Sequence, residues 1–221
     1  MQLNLYKNLL NNSFVSKKDI IIYNRQAMTE IIEIKRKEFE VLEKLGEHSF
    51  KVERKGKIYF LKKYENKDSF NAFVEQYRRL KITAIDIPKC YLFDKNLLIS
   101  VVDFIEGEVV FNTLLKEGII NEEIYKNLFL AEWYMRREKL RIDFHPDNFI
   151  FNGKKLYYLP YSYGKFEPDY DFNMKDLRLW FMTKQFSQYV KSKGFDFDDS
   201  RIGNEYATNK QIALMAVKYY M

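Results

Sequence analysis

A chain of 221 residues is long enough for one domain or two closely packed lobes, and its 47% of hydrophobic residues can fill a core. It lacks a run of roughly 20 apolar residues, a secretory signal pattern and a second cysteine beside Cys90, so we expect no membrane span, no internal disulfide and a cytoplasmic location. The net charge of +6 favours anionic partners: a nucleotide, a phosphorylated sugar, nucleic acid or an acidic membrane surface.

The first third of the chain predicts antiparallel strands. Hydrophobic residues alternate over 39–45, 49–54 and 58–64, and glycine-containing turns separate these runs, which is typical of a three-stranded meander. Residues 19–23 are rich in isoleucine, and they predict an edge strand or a segment that packs beneath the sheet.

Helices dominate the rest of the predicted structure. A helix that begins at Asp68 or Ser69 carries apolar residues at helical spacing and ends before Pro88. The later predicted elements are strands at 89–93 and 97–104, helices at 110–117 and 121–139, a hairpin of 149–151 with 155–159, and helices at 174–192 and 209–220. The pair Asn152-Gly153 favours a type I′ turn in that hairpin.

The stretch from Asp143 to Asn148, with the sequence Asp-Phe-His-Pro-Asp-Asn, is the most informative in the chain. It has the spacing of the protein-kinase catalytic loop, in which the acid accepts the proton of the attacking hydroxyl and the amide binds magnesium. It is also similar to the D-x-H-P-x-N loop of small-molecule and sugar kinases. The alternative is an ordinary turn, in which Asp and Asn side chains bond to nearby backbone.

Lys62, in the third predicted strand, resembles the strand lysine that holds the α- and β-phosphates of ATP in kinases. Because side chains alternate along a strand, Lys63 should point to the opposite face. Glu75, in the following helix, resembles the glutamate that pairs with this lysine and fixes its position. The alternatives are a surface lysine at a strand end and an exposed glutamate among basic residues.

Two further segments correspond to nucleotide contacts in kinases. Residues 104–107, which include Glu106, are similar to the hinge between lobes, where backbone groups meet the adenine. Gly46 stands nearly alone where kinases have a glycine-rich phosphate loop, so any such loop here relies on the backbone that follows it. Neither segment is specific to kinases by itself.

The metal-binding pattern of kinases is incomplete after the hairpin. Pro160 occupies the position of the aspartate that binds the catalytic magnesium, and a proline side chain cannot bind a metal ion. Either the carboxylate of Asp147, Asp169 or Asp171 takes the place of this metal ligand, or the ligand is lost. Asp176 resembles the structural aspartate of kinases that holds the backbone of the catalytic loop.

Together these residues resemble the lipopolysaccharide core heptose kinase family of the protein-kinase-like superfamily, in layout over 39–181. The resemblance implies an α+β, protein-kinase-like two-lobed fold. It implies a small antiparallel β lobe over 1–104, in which 1–37 form a leader without an assigned role, and a larger helical lobe over 105–221. It also implies ATP and magnesium (Mg²⁺) as cofactors, and an anionic sugar or core-glycolipid acceptor at the inner face of the membrane.

The resemblance assigns a role to each site residue. These roles are general base for Asp143, metal ligand for Asn148, and contributions to the nucleotide site for Lys62, Glu75, Glu106 and Gly46. We therefore expect an ATP-dependent kinase of lipopolysaccharide core biosynthesis, with peripheral membrane contact. The alternative is a pseudokinase that binds a nucleotide or serves as a scaffold without phosphoryl transfer. A nucleic-acid-binding protein is not expected, because the basic residues are dispersed and no recognition motif is present.

Overall fold

The computed structural model describes residues 30–173 and 175–220. These residues have a mixed α/β architecture with a curled antiparallel sheet and five helices. The chain forms two compact units, which are the described residues up to Arg78 with Pro88–Ile105, and Arg79–Ile87 with the described residues from Glu106 onward.

The first unit is built on a six-stranded antiparallel sheet. Its strands are β1 (Ile31–Ile34), β2 (Lys37–Gly46), β3 (Ser49–Arg54), β4 (Lys57–Lys63), β5 (Cys90–Asp94) and β6 (Ile99–Asp103). They lie in the order β1-β2-β3-β4-β6-β5. Because alternate residues share a face, Phe39, Val52, Leu61 and Val101 meet in one buried apolar cluster. This cluster is the core of the unit.

Helix α1 (Lys67–Lys81) packs on the other face of this sheet. Phe70 and Phe73 of the helix contact the rings of Tyr64 and Phe93, with centroids between 5.2 and 6.5 Å apart. The helix is amphipathic, so its apolar residues recur every three or four positions on this side. The aromatic contacts fix which side of the helix faces the sheet, and therefore which side faces away.

The second unit combines helices with two small antiparallel sheets. Its helices are α2 (Val110–Glu117), α3 (Glu122–Arg137), α4 (Lys184–Ser192) and α5 (Glu205–Tyr220). Its strands are β7 (Glu108–Val109), β8 (Leu140–Arg141), β9 (Phe149–Phe151), β10 (Leu156–Tyr158) and β11 (Gly164–Lys165). Strand β9 pairs with β7 and β10, and β8 pairs with β11. Aromatic side chains, among them Phe129, Phe149 and Trp180, form much of the buried core.

The predicted continuous helix at 174–192 is wrong. A short 3-10 helix (Leu177–Trp180) ends before Phe181, and α4 begins three residues later. Thr183 starts the new helix, because its hydroxyl accepts a hydrogen bond from the amide of Phe186 at 3.1 Å. The same hydroxyl donates to the carbonyl of Arg178 at 2.8 Å, which ties the two helices together at the break.

The predicted helix start and the predicted hairpin turn also differ from the structure. The side chain of Asn66 accepts from the amide of Ser69 at 2.9 Å, so Asn66 caps α1 instead of Asp68 or Ser69. A type I′ turn needs positive φ at both central residues, but between β9 and β10 only Gly153 has one, at +89°. The side chain of Asn152 closes this longer turn by accepting backbone hydrogen bonds.

Four strands of the described chain were not predicted from the pattern: β1, β7, β8 and β11. Three of them have only two residues, which is too short for an alternating pattern to show. The predicted segment at 19–23 lies outside the described residues. None of the helices in the part of the chain that the structure describes is long and apolar enough to cross a bilayer.

Candidate functional site

The Asp143–Asn148 loop connects β8 to β9 and is closed by its own hydrogen bonds. The Asn148 side-chain amide donates to the carbonyl of Asp143 at 3.1 Å, and the His145 amide donates to the carboxylate of Asp143 at 3.2 Å. Pro146–Asn148 form a single 3-10 turn, whose fixed proline φ favours the first helical position. The loop therefore brings together Asp143, the predicted general base, and Asn148, the predicted metal ligand.

The carboxylate of Asp143 is accessible, with half of its side-chain surface exposed. Its Oδ1 lies 3.0 Å from Nδ1 of His145, so the imidazole orients the acid. The ring of His145 in turn lies against the ring of Tyr189 in α4, with centroids 4.8 Å apart. A carboxylate that is both exposed and oriented can accept a proton from a bound hydroxyl group.

Asp147 has a structural role in this loop. Its two carboxylate oxygens are held by the hydroxyl of Tyr189 at 2.5 Å and the ammonium group of Lys193 at 2.8 Å. Burial and the contact with Asp147 raise the pKa of Tyr189, so this tyrosine stays protonated as the donor. The prediction that Asp147 replaces the missing metal ligand is not supported, because both of its oxygens already have partners.

Buried aromatic residues support the loop from within the second unit. The indole Nε1 of Trp180, which has no exposed surface, donates to the carbonyl of Phe144 at 2.7 Å. The ring of Phe149 packs against both Phe144 and Trp180. The backbone carbonyl of Asn148 accepts from Leu159 at 3.0 Å. The backbone of the loop is therefore fixed on both sides of Asn148.

Asp176 does not hold the loop backbone as predicted. It is buried, it is hydrogen-bonded to the side chain of Tyr170, and its Oδ2 has no hydrogen-bond partner among the described residues. Burial raises the pKa of Asp176, and the tyrosine together with the charges of Arg141 and His145 offsets only part of this effect. The predicted contact is absent, because no loop amide reaches this carboxylate.

Lys62 of the first unit lies on the α1 face of the sheet, with its ammonium group 5.3 Å from the ring of Tyr64. Burial lowers the pKa of Lys62, and the nearby charge of Glu65 opposes this only in part. No carboxylate in the described ranges lies within ion-pair distance of the ammonium group. Lys62 is therefore a half-buried cation without a paired anion.

Ser49 lies directly across the β3–β4 ladder from Lys62, so the two side chains share a face of the sheet. Ser49 has no exposed surface, and its hydroxyl has no hydrogen-bond partner among the described residues. The buried Nε2 of the neighbouring His48 likewise has no hydrogen-bond partner among the described residues, and the nearest carboxylate oxygen, of Glu47, lies 3.9 Å away. A buried hydroxyl without a partner is uncommon, because it loses its bonds to water without a replacement. The start of β3 and the facing end of β4 thus combine a cation with a hydroxyl that lacks a hydrogen-bond partner among the described residues.

The predicted ion pair between Lys62 and Glu75 is wrong in this structure. Glu75 is exposed on α1, whereas Phe73 and Tyr77 on either side of it are buried. One residue advances a helix by about 100°, so Glu75 lies about 200° from Phe73 and points away from the sheet. The acid whose charge acts on Lys62 is Glu65, two residues after the end of β4.

The two remaining predicted nucleotide contacts are Gly46, at the end of a strand, and Glu106, at the start of a segment of the second unit. Gly46 ends β2 and pairs with Ser49, so the turn between them has two residues. Glu106 is exposed and is the first residue of the second unit after Ile105. A side chain at the adjacent Gly107 would place its Cβ 2.4 Å from the carbonyl oxygen of Phe151, which explains the glycine. The role of Gly46 and of Glu106 in nucleotide binding stays a prediction.

The residues of the loop do not fit a kinase magnesium site. Magnesium binds preferentially to carboxylate oxygens, but Pro160 stands where the resemblance predicts the second ligand, and both carboxylate oxygens of Asp147 are engaged. Asp169 is exposed, and Asp171 is exposed with a partner of its own. Within the residues that the structure describes, no group of three or more His, Cys, Asp or Glu side chains is arranged to hold a metal ion. Asn148 alone is an incomplete ligand set.

No protein-family model matches the chain, and no curated protein is significantly similar to it. The resemblance to lipopolysaccharide core heptose kinases therefore rests on the residues of the chain itself. The mixed α/β architecture is compatible with the predicted two-lobed α+β fold, and the kinase-like character of that fold stays a prediction.

Several residues that support the site were missed in the sequence. Tyr189 lies in α4 and Lys193 directly follows the last residue of that helix, but only the fold shows that both side chains meet Asp147. Ser49 looked like an ordinary strand residue, because a serine in a strand carries no signal of burial. Thr183 had a recognisable signal, since a threonine before Lys184-Gln185-Phe186 is a common helix start.

Proposed function

We propose that the chain is a protein-kinase-like protein that binds the phosphates of a nucleotide through Lys62. The proposal rests mainly on the half-buried ammonium group of Lys62, which has no paired anion and shares a sheet face with the unpartnered hydroxyl of Ser49. A buried charge without a partner is unfavourable. A phosphate group would supply the missing negative charge and accept hydrogen bonds from the ammonium group of Lys62 and the hydroxyl of Ser49. ATP is the nucleotide that the sequence resemblance implies, and it supplies a transferable phosphoryl group when bound.

The first candidate activity is phosphoryl transfer from ATP to a hydroxyl of an anionic sugar or core glycolipid. Asp143 supports this activity, because its carboxylate is exposed and is oriented by His145 at 3.0 Å. It would accept the proton of the acceptor hydroxyl as that oxygen attacks phosphorus. Asn148, held 3.1 Å from the carbonyl of Asp143, would keep the loop in this conformation. The positive net charge suits an anionic acceptor at a membrane surface.

The second candidate is a pseudokinase, which binds the nucleotide but transfers no phosphoryl group. The metal-ligand residues favour it over the first candidate, because Pro160 replaces one carboxylate and Asp147 is occupied by Tyr189 and Lys193. Phosphoryl transfer depends on neutralising the phosphate charges, and a loss of that neutralisation slows the reaction by orders of magnitude. Both candidates share nucleotide binding, so binding is the property to test first.

Thermal denaturation with and without millimolar ATP tests the proposal. We expect ATP to raise the melting temperature of the wild type, because a ligand that binds only the folded state stabilises it by mass action. The substitution Lys62→Met should remove this rise. Lys63→Met is the matched control, since Lys63 is the next residue of β4 and points to the other face of the sheet. Its response to ATP should equal that of the wild type.

Equal ATP responses of Lys62→Met and the wild type, or no response of either, would contradict the proposal. Transfer of labelled phosphate to a sugar acceptor then separates the two candidates. If the chain is a kinase, Asp143→Asn should lower transfer about 100-fold or more, the usual contribution of a general base, and leave the ATP response intact. ATP binding without any transfer by the wild type would identify a pseudokinase.

A further inference from the structure

A small cavity in the second unit lies at the starts of two helices. Its volume is about 130 Å³, and its lining includes Arg178, Thr183, Lys184, Thr208 and Asn209. Pockets for drug-sized ligands typically have about 300–1,000 Å³, whereas one water molecule takes about 30 Å³. The cavity therefore suits a small polyatomic ion and is too small for a nucleotide.

Arg178 is the decisive group in this cavity. Only 8% of its surface is exposed, and the one hydrogen bond of its guanidinium group to a described residue runs from Nη2 to Oδ1 of Asn209 at 2.7 Å. A guanidinium group is always charged at physiological pH and has five N–H donors. Buried charges in proteins are normally paired, because removing an ion from water is unfavourable. No carboxylate of the described residues forms an ion pair with Arg178. The cavity is thus lined by an unneutralised cation with unused donors.

The start of α4 adds to this positive environment. The first N–H groups of a helix have no acceptor within the helix, and the hydroxyl of Thr183 satisfies only that of Phe186. Lys184 and Gln185 line the cavity, and their amides belong to the first turn of α4. The helix dipole favours an anion at this end. Glu205 is the one acidic residue of the lining, and it is exposed and forms no ion pair in the described chain.

We propose that this cavity binds a small oxyanion of phosphate or sulfate type. Arg178 supplies a buried charge with several donors, and the α4 amides and Lys184 supply further donors at the cavity. The ion can be free phosphate or the phosphate group of a small phosphorylated molecule, since both present the same tetrahedral oxygens. The site consists of residues of the second unit only. It is independent of Lys62 and does not rest on the proposed nucleotide binding.

Inorganic phosphate is the probe, used in the full chain with Lys62→Met so that binding at Lys62 cannot contribute. We expect phosphate to raise the melting temperature saturably relative to chloride at equal ionic strength. Arg178→Gln and Lys184→Glu should each weaken binding about tenfold or more, as expected for the loss of charge-assisted hydrogen bonds. Lys154→Glu is the control, because it makes the same charge change at an exposed lysine in the β9–β10 turn.

Arg178→Gln alters a buried residue, so Lys184→Glu, which alters an exposed one, carries the test if the first variant does not fold. No saturable response to phosphate, or equal loss of affinity in Lys154→Glu and Lys184→Glu, would overturn the proposal. A sugar phosphate measured in parallel identifies the source of the ion. Tighter binding than that of inorganic phosphate indicates a phosphorylated molecule, and weaker binding indicates free phosphate, and both results support the site.

Discussion

The surroundings of Lys62 and the Asp143–Asn148 loop differ in whether their polar groups have hydrogen-bond or ion-pair partners. Around Lys62, the ammonium group has no paired anion and the hydroxyl of Ser49 has no hydrogen-bond partner among the residues that the structure describes. In the loop, the carboxylate of Asp147 is held by two side chains, and the backbone on both sides of Asn148 is hydrogen-bonded. Polar groups without partners lower stability and remain available to a ligand, whereas satisfied groups stabilise one conformation.

This difference predicts that the two regions respond differently to the loss of a polar group. The strand region holds polar groups that have no partner among the described residues. The loop is already organised without a ligand, and only Asp143 keeps an exposed carboxylate. Substitutions should therefore have opposite effects in the two regions: loss of a polar group should destabilise the loop and should not destabilise the strand region. The following variants test that contrast.

The largest effect is expected from Trp180→Phe. This change leaves the buried carbonyl of Phe144 without its donor at 2.7 Å and removes part of the ring that packs against Phe149. We expect the free energy of unfolding to fall by roughly 2–4 kcal/mol, the combined range for a buried unsatisfied group and a partial cavity. Urea denaturation followed by circular dichroism measures it. Trp133→Phe is the control, because Trp133 is 47% exposed, and a loss as large as that of Trp180→Phe would refute this role.

Two hydroxyl deletions form a direct comparison of the regions. Tyr189→Phe removes the donor to Asp147 and should lower the free energy of unfolding by about 1–2 kcal/mol, since the bond is to a charged group. Ser49→Ala removes a buried hydroxyl without a partner and should be neutral or stabilising. Chemical denaturation of the two variants at one pH measures both values. Similar destabilisation by the two changes would remove the proposed contrast.

The smallest effect is expected from Asp176→Asn, and it depends on pH. Burial raises the folded-state pKa of Asp176 above its ordinary value of 3.8, so the folded state favours the protonated acid. This contribution to stability is complete below about pH 3.8 and is lost as the pH rises through the folded-state pKa. The difference in melting temperature, variant minus wild type, should therefore increase between pH 4 and pH 7.

The exposed Asp169 supplies the control for this measurement, because Asp169→Asn removes a carboxylate of the same segment that is in contact with water. A difference for Asp176→Asn that decreases with pH would show that the buried carboxylate is stabilised in its charged form. That result would place Asp176 with the satisfied groups of the loop.

The sequence predicted the elements with clear periodicity and failed where tertiary contacts decide. The meander of β2, β3 and β4 and the helices α2 and α3 were visible, because hydrophobic periods and turn residues indicate them directly. The break before Thr183 was hidden, because the apolar residues of 174–192 could suit one helix until the burial of Trp180 and Phe181 is known. The hydrophobic pattern alone could not show that Trp180 ends a 3-10 helix and that Phe181 is extended.

The candidate site was predictable to the same extent. The spacing of Asp143 and Asn148 indicated a loop that joins them, and the structure has that loop, closed at 3.1 Å. The orientation of Glu75 was misjudged, although the positions of Phe73 and Tyr77 on the helix already implied it. The engagement of Asp147 by Tyr189 and Lys193 could not be predicted, because more than forty residues separate the partners along the chain.

The pairing of β7 with β9 has a mechanical consequence. Strand β7 begins just after Glu106, where the second unit resumes, and its two residues lie opposite Ile150 and Phe151. Strand β9 begins directly after Asn148. A pulling force applied to residues 106–109 must therefore either displace β9, which holds the C-terminal end of the loop, or break the two residue pairs that join β7 to β9. The two-residue strand β7 therefore makes the loop sensitive to a force applied at 106–109.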